Sequence, residues 1–244
     1  KGWLCKFMLR NGLSLRLKTS ISQKLPPQLE RHIESFFTRI RALRAEHQYP
    51  LDLIINMDET PLYFDLVPQH TISKKGVKQV AIRSSGSEKK RLTVTLSCTG
   101  NGDMLPAYAI FKGKRKLKFI PPRQVKIAVQ KKAWMDAVLM IQWFKLIILP
   151  YTKGRRSLLI IDSFSAHEDE SFLELANAKN VDVAFITGGC TSKISPLDVS
   201  INKPFKSVVR EKWINYVHSL VDVNTTPLPE DKLKSADKPT ILTW

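Results

Sequence analysis

LDLIINMD, residues 51–58, is a nearly continuous apolar run that ends on an acid. Pro50 and Pro61 bound it, and its length suits a strand buried on both faces, the kind found in sheets covered by helices on either side. A second run of the same kind, SLLIID at 157–162, also ends on an aspartate. Asp58 and Asp162 are therefore expected at the ends of neighbouring central strands, where an open α/β sheet places its ligands.

Outward from these two runs the pattern alternates between strands and helices. In RLTVTLSCTGNGDMLPAYAIFKG (91–113), Leu92, Val94, Leu96 and Cys98 alternate with Arg91, Thr93, Thr95 and Ser97, and Gly100-Asn101-Gly102 turns the chain into a second strand. Residues 134–149 read as a helix ending at Pro150, followed after SLLIID by a helix at 168–178 and a strand at 181–186. An irregular stretch follows Gly188-Gly189. A long helix is then expected from Pro204, with Phe205, Val209, Trp213, Tyr216 and Leu220 on one face. Before the first strand, residues 27–46 place Leu29, Ile33, Phe36, Phe37, Ile40 and Leu43 on one helical stripe, and Trp3, Leu4, Phe7 and Met8 do the same ahead of Asn11-Gly12. The whole reads as a mixed α/β sheet flanked by helices. Four segments are expected: 1–20 as the end of a helical region, 21–50 as a helical linker, 51–220 as one α/β domain, and 221–244 as a polar, weakly ordered tail.

Composition narrows the partner. Lys and Arg outnumber Asp and Glu 39 to 22 among 244 residues, a net charge of +17. Such a field attracts polyanions, because each neutralised phosphate releases condensed counterions. A basic ribosomal or membrane-surface protein is the other class with this charge. The apolar share of 43% is high for a ribosomal tail, and no basic amphipathic anchor stands out. DNA or RNA is the expected partner, and no small-molecule substrate is expected. The greasiest stretch, Leu139 to Leu149, is interrupted by Gln142 and Lys145, so no membrane span is expected. Three separated cysteines, Cys5, Cys98 and Cys190, form no metal or redox pair and fit a reducing compartment. Residue 1 is not Met and no secretory signal is legible, so the chain reads as a fragment or processed product.

A third aspartate, Asp198, follows the 181–186 strand, with residues 163–197 separating it from Asp162. Three converging carboxylates repel one another and raise one another's pKa unless a cation joins them. Hard, oxygen-seeking Mg²⁺ or Mn²⁺ is the natural occupant, and a pair of ions about 4 Å apart suits in-line phosphoryl transfer. Taken singly, each of these acids reads more readily as an ordinary strand-end or turn residue.

NMDETPLYFD (56–65), LLIIDSFSAH (158–167) and GGCTSKISPLDVSINKPFK (188–206) closely resemble the three catalytic blocks of the pogo/Tigger/jerky transposases, a group of the Tc1/mariner superfamily that also includes centromere protein B. The resemblance covers about residues 1–220, and the third block is highly specific. It implies a ribonuclease H-like fold and metal-dependent cleavage and joining of DNA at terminal inverted repeats. It also implies Asp58, Asp162 and Asp198 as the metal-binding catalytic acids, two Mg²⁺ or Mn²⁺ ions, a homodimer on paired DNA ends, and work in the nucleus. Segment 1–18 resembles the end of the family's centromere-protein-B-type helix-turn-helix, which makes Arg10, Arg16 and Lys18 candidates for phosphate contacts; a solvated face is the other reading. Two positions depart from the family pattern: Ser195 stands where Gln is usual, and a short tail follows residue 220 in place of a further helix and closing segment.

Other residues carry two readings each. Glu59 is a reserve metal ligand or a residue turned away to a backbone amide, and it is left out of the triad. His167 serves the scissile phosphate or water as donor or acid, or caps the helix that follows it. Lys203 and Lys206 beside Asp198, and the cluster Lys112, Lys114, Arg115, Lys116 and Lys118, are candidate phosphate contacts. Trp134, Trp143 and Trp213 fall on apolar stripes and are expected in the core, and Cys190 is expected to be structural. Three functions follow: a transposase; a domesticated, non-catalytic DNA-binding regulator; or a ribonuclease or repair nuclease of the same fold, which would cut hybrids or flaps without terminal repeats.

Overall fold

The computed structural model describes residues 2–12, 28–65, 90–115, 117–220 and 235–244. In chain order these form α1 (Trp3–Arg10), α2 (Leu29–His47), β1 (Ile54–Tyr63), β2 (Arg91–Thr99), β3 (Ala107–Lys112), β4 (Val125–Gln130), α3 (Ala137–Trp143), α4 (Leu149–Thr152), β5 (Ser157–Asp162), α5 (Glu170–Ala178), β6 (Val181–Ile186), α6 (Thr191–Ile194), α7 (Asn202–Leu220) and α8 (Lys238–Leu242). One six-stranded sheet has the order β4-β3-β2-β1-β5-β6. β2 is antiparallel to both its neighbours and every other pairing is parallel, so β2 alone runs against the rest. This is the ribonuclease H-like arrangement with β4 added at one edge. The expected hairpin is β2–β3; β4 was not expected, because its edge position leaves VKIAVQ only half-buried and short of a core-strand signature.

β1 is the pivot, and it is longer than its apolar run. Leu51–Leu53 form a 3₁₀ turn, and the strand then continues past Met57 through Asp58 to Tyr63 because β2 pairs with it from Ile55 to Tyr63. Asp58 therefore lies in mid-strand and not at its end, a correction to the sequence reading. Pro61 is tolerated inside the strand because the Gly100 N–H to Ile54 O (2.8 Å) and Phe64 N–H to Lys90 O (2.9 Å) bonds show that even-numbered residues face β2. The missing N–H at position 61 points to the other side, where β5 pairs only as far as Asn56.

Strand parity sorts the side chains into two layers. Ile55 and Met57 face a core made with Trp143, Phe144, Ile148 and Phe172. On the opposite face, Leu62, Leu92, Val94 and Leu96 pack with Leu197 and Val209 at the head of α7, while α2 covers β5 and β6 through Phe36, Ile40 and Leu43. Two helical runs carry an internal proline, which the sequence reading took as helix boundaries. Each proline removes one rung and presses on the carbonyl four residues back. A π turn lies at that carbonyl in both cases, Phe144–Ile148 before Pro150 and Leu197–Ile201 before Pro204, and widens the helix there. Among the described residues no helix is long and apolar enough to cross a membrane.

Two further expectations are corrected. The tail was expected to be weakly ordered over 221–244. Residues 221–234 lie outside the described residues, but Asp237 caps α8 by accepting from Thr240 N–H, Ala236 and Ile241 are buried against the sheet, and Trp244 packs on Tyr216. Apolar contacts order this segment despite its polar composition. Ile241→Ala should cost about 2 kcal/mol of stability, the low end for such a truncation, as read by urea denaturation; an unchanged midpoint would show the tail to be dispensable. Trp143 and Trp213 are buried as expected, but Trp134 is 49% exposed. The helix begins only at Ala137, where the Asp136 carboxylate accepts from Leu139 N–H, so Trp134 precedes the stripe it was assigned to.

Candidate metal centre

Asp58 shares its face of β1 with Asn56 and Thr60. The buried Asn56 amide ties three segments together: it donates to Ile160 O on β5 at 3.1 Å, and its carbonyl accepts from the Ser195 hydroxyl at 3.2 Å and from Leu197 N–H at 3.3 Å. Ser195, one of the departures from the family pattern, is thus a buried donor within the site. These bonds bring the third aspartate to the first, because Asp198 sits on the π turn that opens the run into α7. Asn202, four residues on and so on the same helical side, donates its side-chain N–H groups to Asp58 at 2.8 Å and to Asp198 at 3.2 Å. Burial, then repulsion from Asp198, pushes the Asp58 carboxyl up to about 7, with Glu59 and Asp162 adding to the shift and the Asn202 bond partly offsetting it.

Asp162 closes β5. The last β1–β5 pair is Asn56 with Ile160, so two residues further along both strands Asp58 and Asp162 stand level. Glu59, on the other face of β1, joins Asp162 through a fully buried histidine: His167 Nδ1 lies 2.7 Å from Asp162 Oδ1 and 3.1 Å from the Asp162 carbonyl, and Nε2 lies 3.1 Å from Glu59 Oε1. Burial alone would lower the imidazole's pKa, but hydrogen bonds to Asp162 and Glu59 win and raise it to about 10. His167 is therefore a charged clamp between two acids. It does not cap the next helix, since Asp169 does that by accepting from Phe172 N–H at 3.2 Å.

The donor set fits a hard divalent cation. Asn202 Oδ1 is buried without a hydrogen-bond donor, and Asp58 and Asp198 share one amide where a cation would satisfy both. The ligand atoms of Glu59, Asp162 and His167 lie within 4.8 Å of one another, the one such cluster among the described residues. Both nitrogens of His167 already face carboxylates, so this cluster reads as an internal ion pair that steadies Asp162.

The remaining candidates divide. Lys203 and Lys206 line a groove with Asp198, Asn202, Thr60 and Glu59. Lys112 at the end of β3, and Lys114, Arg115 and Lys118 beyond it, are exposed, two strands from β1. Arg10 is exposed on α1, while Arg16, Lys18 and Lys116 lie outside the described residues. Cys190 is buried beside Phe36 and Ile186, and burial raises its thiol, in keeping with a structural role. Asn56 and Asn202 were missed by the sequence reading. Their signals were there: a polar residue inside LDLIINM, and an amide four residues after Asp198.

The chain matches the DDE superfamily endonuclease family over residues 89–236. It is 31% identical to the human protein Pogo transposable element with KRAB domain over 88% of this chain and 36% of that protein. Against CENP-B homolog protein 2 of Schizosaccharomyces pombe the identity is 28%, over 100% of this chain and 47% of the relative. The chain thus spans less than half the length of these relatives. The Mos1 mariner paired end complex with Mn has the same fold, with a TM-score of 0.58 at 12% identity over 90% of this chain and 63% of that one. With its family match, its pogo and CENP-B relatives and its ribonuclease H-like sheet, this chain belongs to the DDE superfamily endonucleases, among the pogo-type transposases of the Tc1/mariner superfamily.

Proposed function

We propose that the chain is the catalytic core of a metal-dependent DNA endonuclease of transposase type, cutting and joining at terminal inverted repeats, with Asp58, Asp162 and Asp198 as the ligand carboxylates. The observation that carries this reading is the meeting of Asp58 and Asp198 on the Asn202 amide, level with Asp162 across the β1–β5 pair. Two Mg²⁺ or Mn²⁺ ions held there would activate the attacking oxygen and stabilise the leaving oxygen of the phosphodiester. The chain's own groups set the stage. Asn202 and Asn56 fix the third acid against the first, His167 holds Asp162 from behind, and Lys203 and Lys206 in the adjoining groove neutralise backbone phosphates. The net charge of +17 supports a DNA partner. A homodimer on paired ends and a nuclear site of action belong to the same proposal.

The test is incubation of the full-length protein with its terminal-repeat DNA: cleavage in Mn²⁺ that disappears with EDTA is expected. Asn202→Ala should weaken Mn²⁺ binding about 10–100-fold, as losing a group that holds the ligand carboxylates in place does, read by thermal-shift titration. Metal-independent cleavage would overturn the assignment. A second reading, a domesticated DNA-binding regulator without catalysis, draws on the KRAB-domain relative, of which this chain spans 36%. It predicts DNA binding with no cleavage under any metal.

A further inference from the structure

Beside the acids lies a cleft of about 240 Å³ whose lining includes Asp58, Glu59 and Asp162 together with Trp134, Phe164 and Arg91. Its volume falls below the ~300–1,000 Å³ of drug-sized ligand pockets and suits one flat ring system. Trp134 is 49% exposed and Phe164 37%, whereas Trp143 and Trp213 are buried. The exposure of Trp134 is built in. Ala133, immediately before it, holds a left-handed φ of 56° although it is fully buried, and the Thr93 hydroxyl pins its carbonyl at 2.6 Å. Such a conformation is strained for a residue with a Cβ and persists only where the surroundings enforce it. Here it turns the indole out of the core. The Arg91 guanidinium lies over the ring, 4.9 Å from its centroid, fixing its plane and adding positive charge. Phe164 is set edge-on against the buried His167 at 5.6 Å and 70°, so the second aromatic of the cleft is anchored to the acid cluster.

An aromatic surface of this kind beside phosphate-seeking chemistry is what an unstacked base recognises, since every base offers a π-face. We propose that the Trp134–Arg91–Phe164 cleft takes one nucleobase, splayed out of the duplex next to the phosphate at the acids. The inference rests on the DNA-end reading of the site and names what flanks the reacting phosphate. Holding that base positions the strand, so Trp134 acts on substrate placement while the carboxylates act on the phosphate. This would favour sequences whose end base unpairs readily, the sequence-tolerant kind of preference that stacking gives.

The experiment uses the full-length protein in Ca²⁺, with terminal-repeat duplexes carrying 2-aminopurine at each position around the cleavage point. Fluorescence anisotropy of a distal label measures binding independently. A change in 2-aminopurine emission confined to one or two positions is expected for the wild type and for Trp134→Phe. In Trp134→Ala that change should vanish and affinity should fall about fivefold to a hundredfold, the range for losing one stacked base. Circular dichroism and melting point identify any misfolded variant, for which Trp134→Phe supplies the folded comparison. Free 2-aminopurine deoxyribonucleoside separates a base delivered by DNA from a small ligand bound alone: no saturation at matching concentration is expected, and binding as tight as that of the duplex would overturn the proposal. Intact anisotropy binding with no emission change at any position, or an effect unaltered by Trp134→Ala, would overturn this proposal alone. Absence of anisotropy binding by the wild type would overturn the DNA-end reading along with it.

Discussion

Asp58→Asn should lower metal-dependent DNA cleavage by about a thousandfold or more while raising the melting temperature of the metal-free protein. The loss of activity follows from the role proposed for this carboxylate, since removing even one donor to reacting oxygens typically costs about 10²–10³ in rate. The gain in stability follows from the same charge. Asp58 is mostly buried beside Asp198, and its carboxyl is raised from 3.8 to about 7. An acid raised in the folded state favours folding only while protonated, so stability falls as pH climbs from about 4 to about 7. Above that window the penalty is about 4 kcal/mol. Asn is neutral, has the same shape and still accepts from Asn202, so it escapes the penalty. Calorimetry of metal-free protein should therefore show Asp58→Asn more stable at pH 8, by a margin that narrows as the pH falls toward 4. Mn²⁺ at 100 times its Kd should stabilise the wild type by about 2.7 kcal/mol and leave the variant unmoved. A wild type more stable than Asp58→Asn without metal would contradict the electrostatic account, and undiminished cleavage would contradict the catalytic one.

His167→Ala should destabilise the domain by about 3–5 kcal/mol, the range for breaking a buried ion pair from one side. The imidazole lies 2.7 Å from Asp162 and 3.1 Å from Glu59, so its removal leaves two acids facing each other across a cavity. The folded pKa is raised from 6.5 to about 10, so the stabilisation is complete below pH 6.5 and is lost as pH rises through about 10. Denaturation midpoints of wild type and variant should therefore converge across that interval. His167→Gln, which keeps a donor toward one acid, should recover part of the difference. A gap that widened with pH would mean that His167 is neutral in the native state. Because Asp162 is held through this contact, the variant should also cleave poorly at temperatures where it remains folded.

Much of this was legible in the sequence because it depends on local pattern. The apolar runs at 54–57 and 157–161 are buried strands, and α2, α5 and β6 follow their periodicities. The parts that were not legible depend on partners remote in the chain. β1 continues through ETPLY because β2 pairs with it there, and nothing within those five residues announces a strand. Pro150 and Pro204 read as helix boundaries because the π turns that absorb them have no residue signature of their own. Glu59 was set aside from the acids as a residue turned away toward a backbone amide. Strand parity turns it to the opposite face, and only the fold shows that His167 waits there. Trp134 was misplaced by a helix start three residues too early, which the Asp136 cap corrects.

The Asn56 amide gives the site an order of assembly. Its carbonyl holds the Leu197 N–H at 3.3 Å, one residue before the third acid, and its nitrogen grips β5. The first two acids are therefore fixed as soon as the central strands pair, whereas the third arrives only when the head of α7 docks. Leu197 carries the amide proton whose exchange with solvent distinguishes a finished centre from a sheet still waiting for its last ligand.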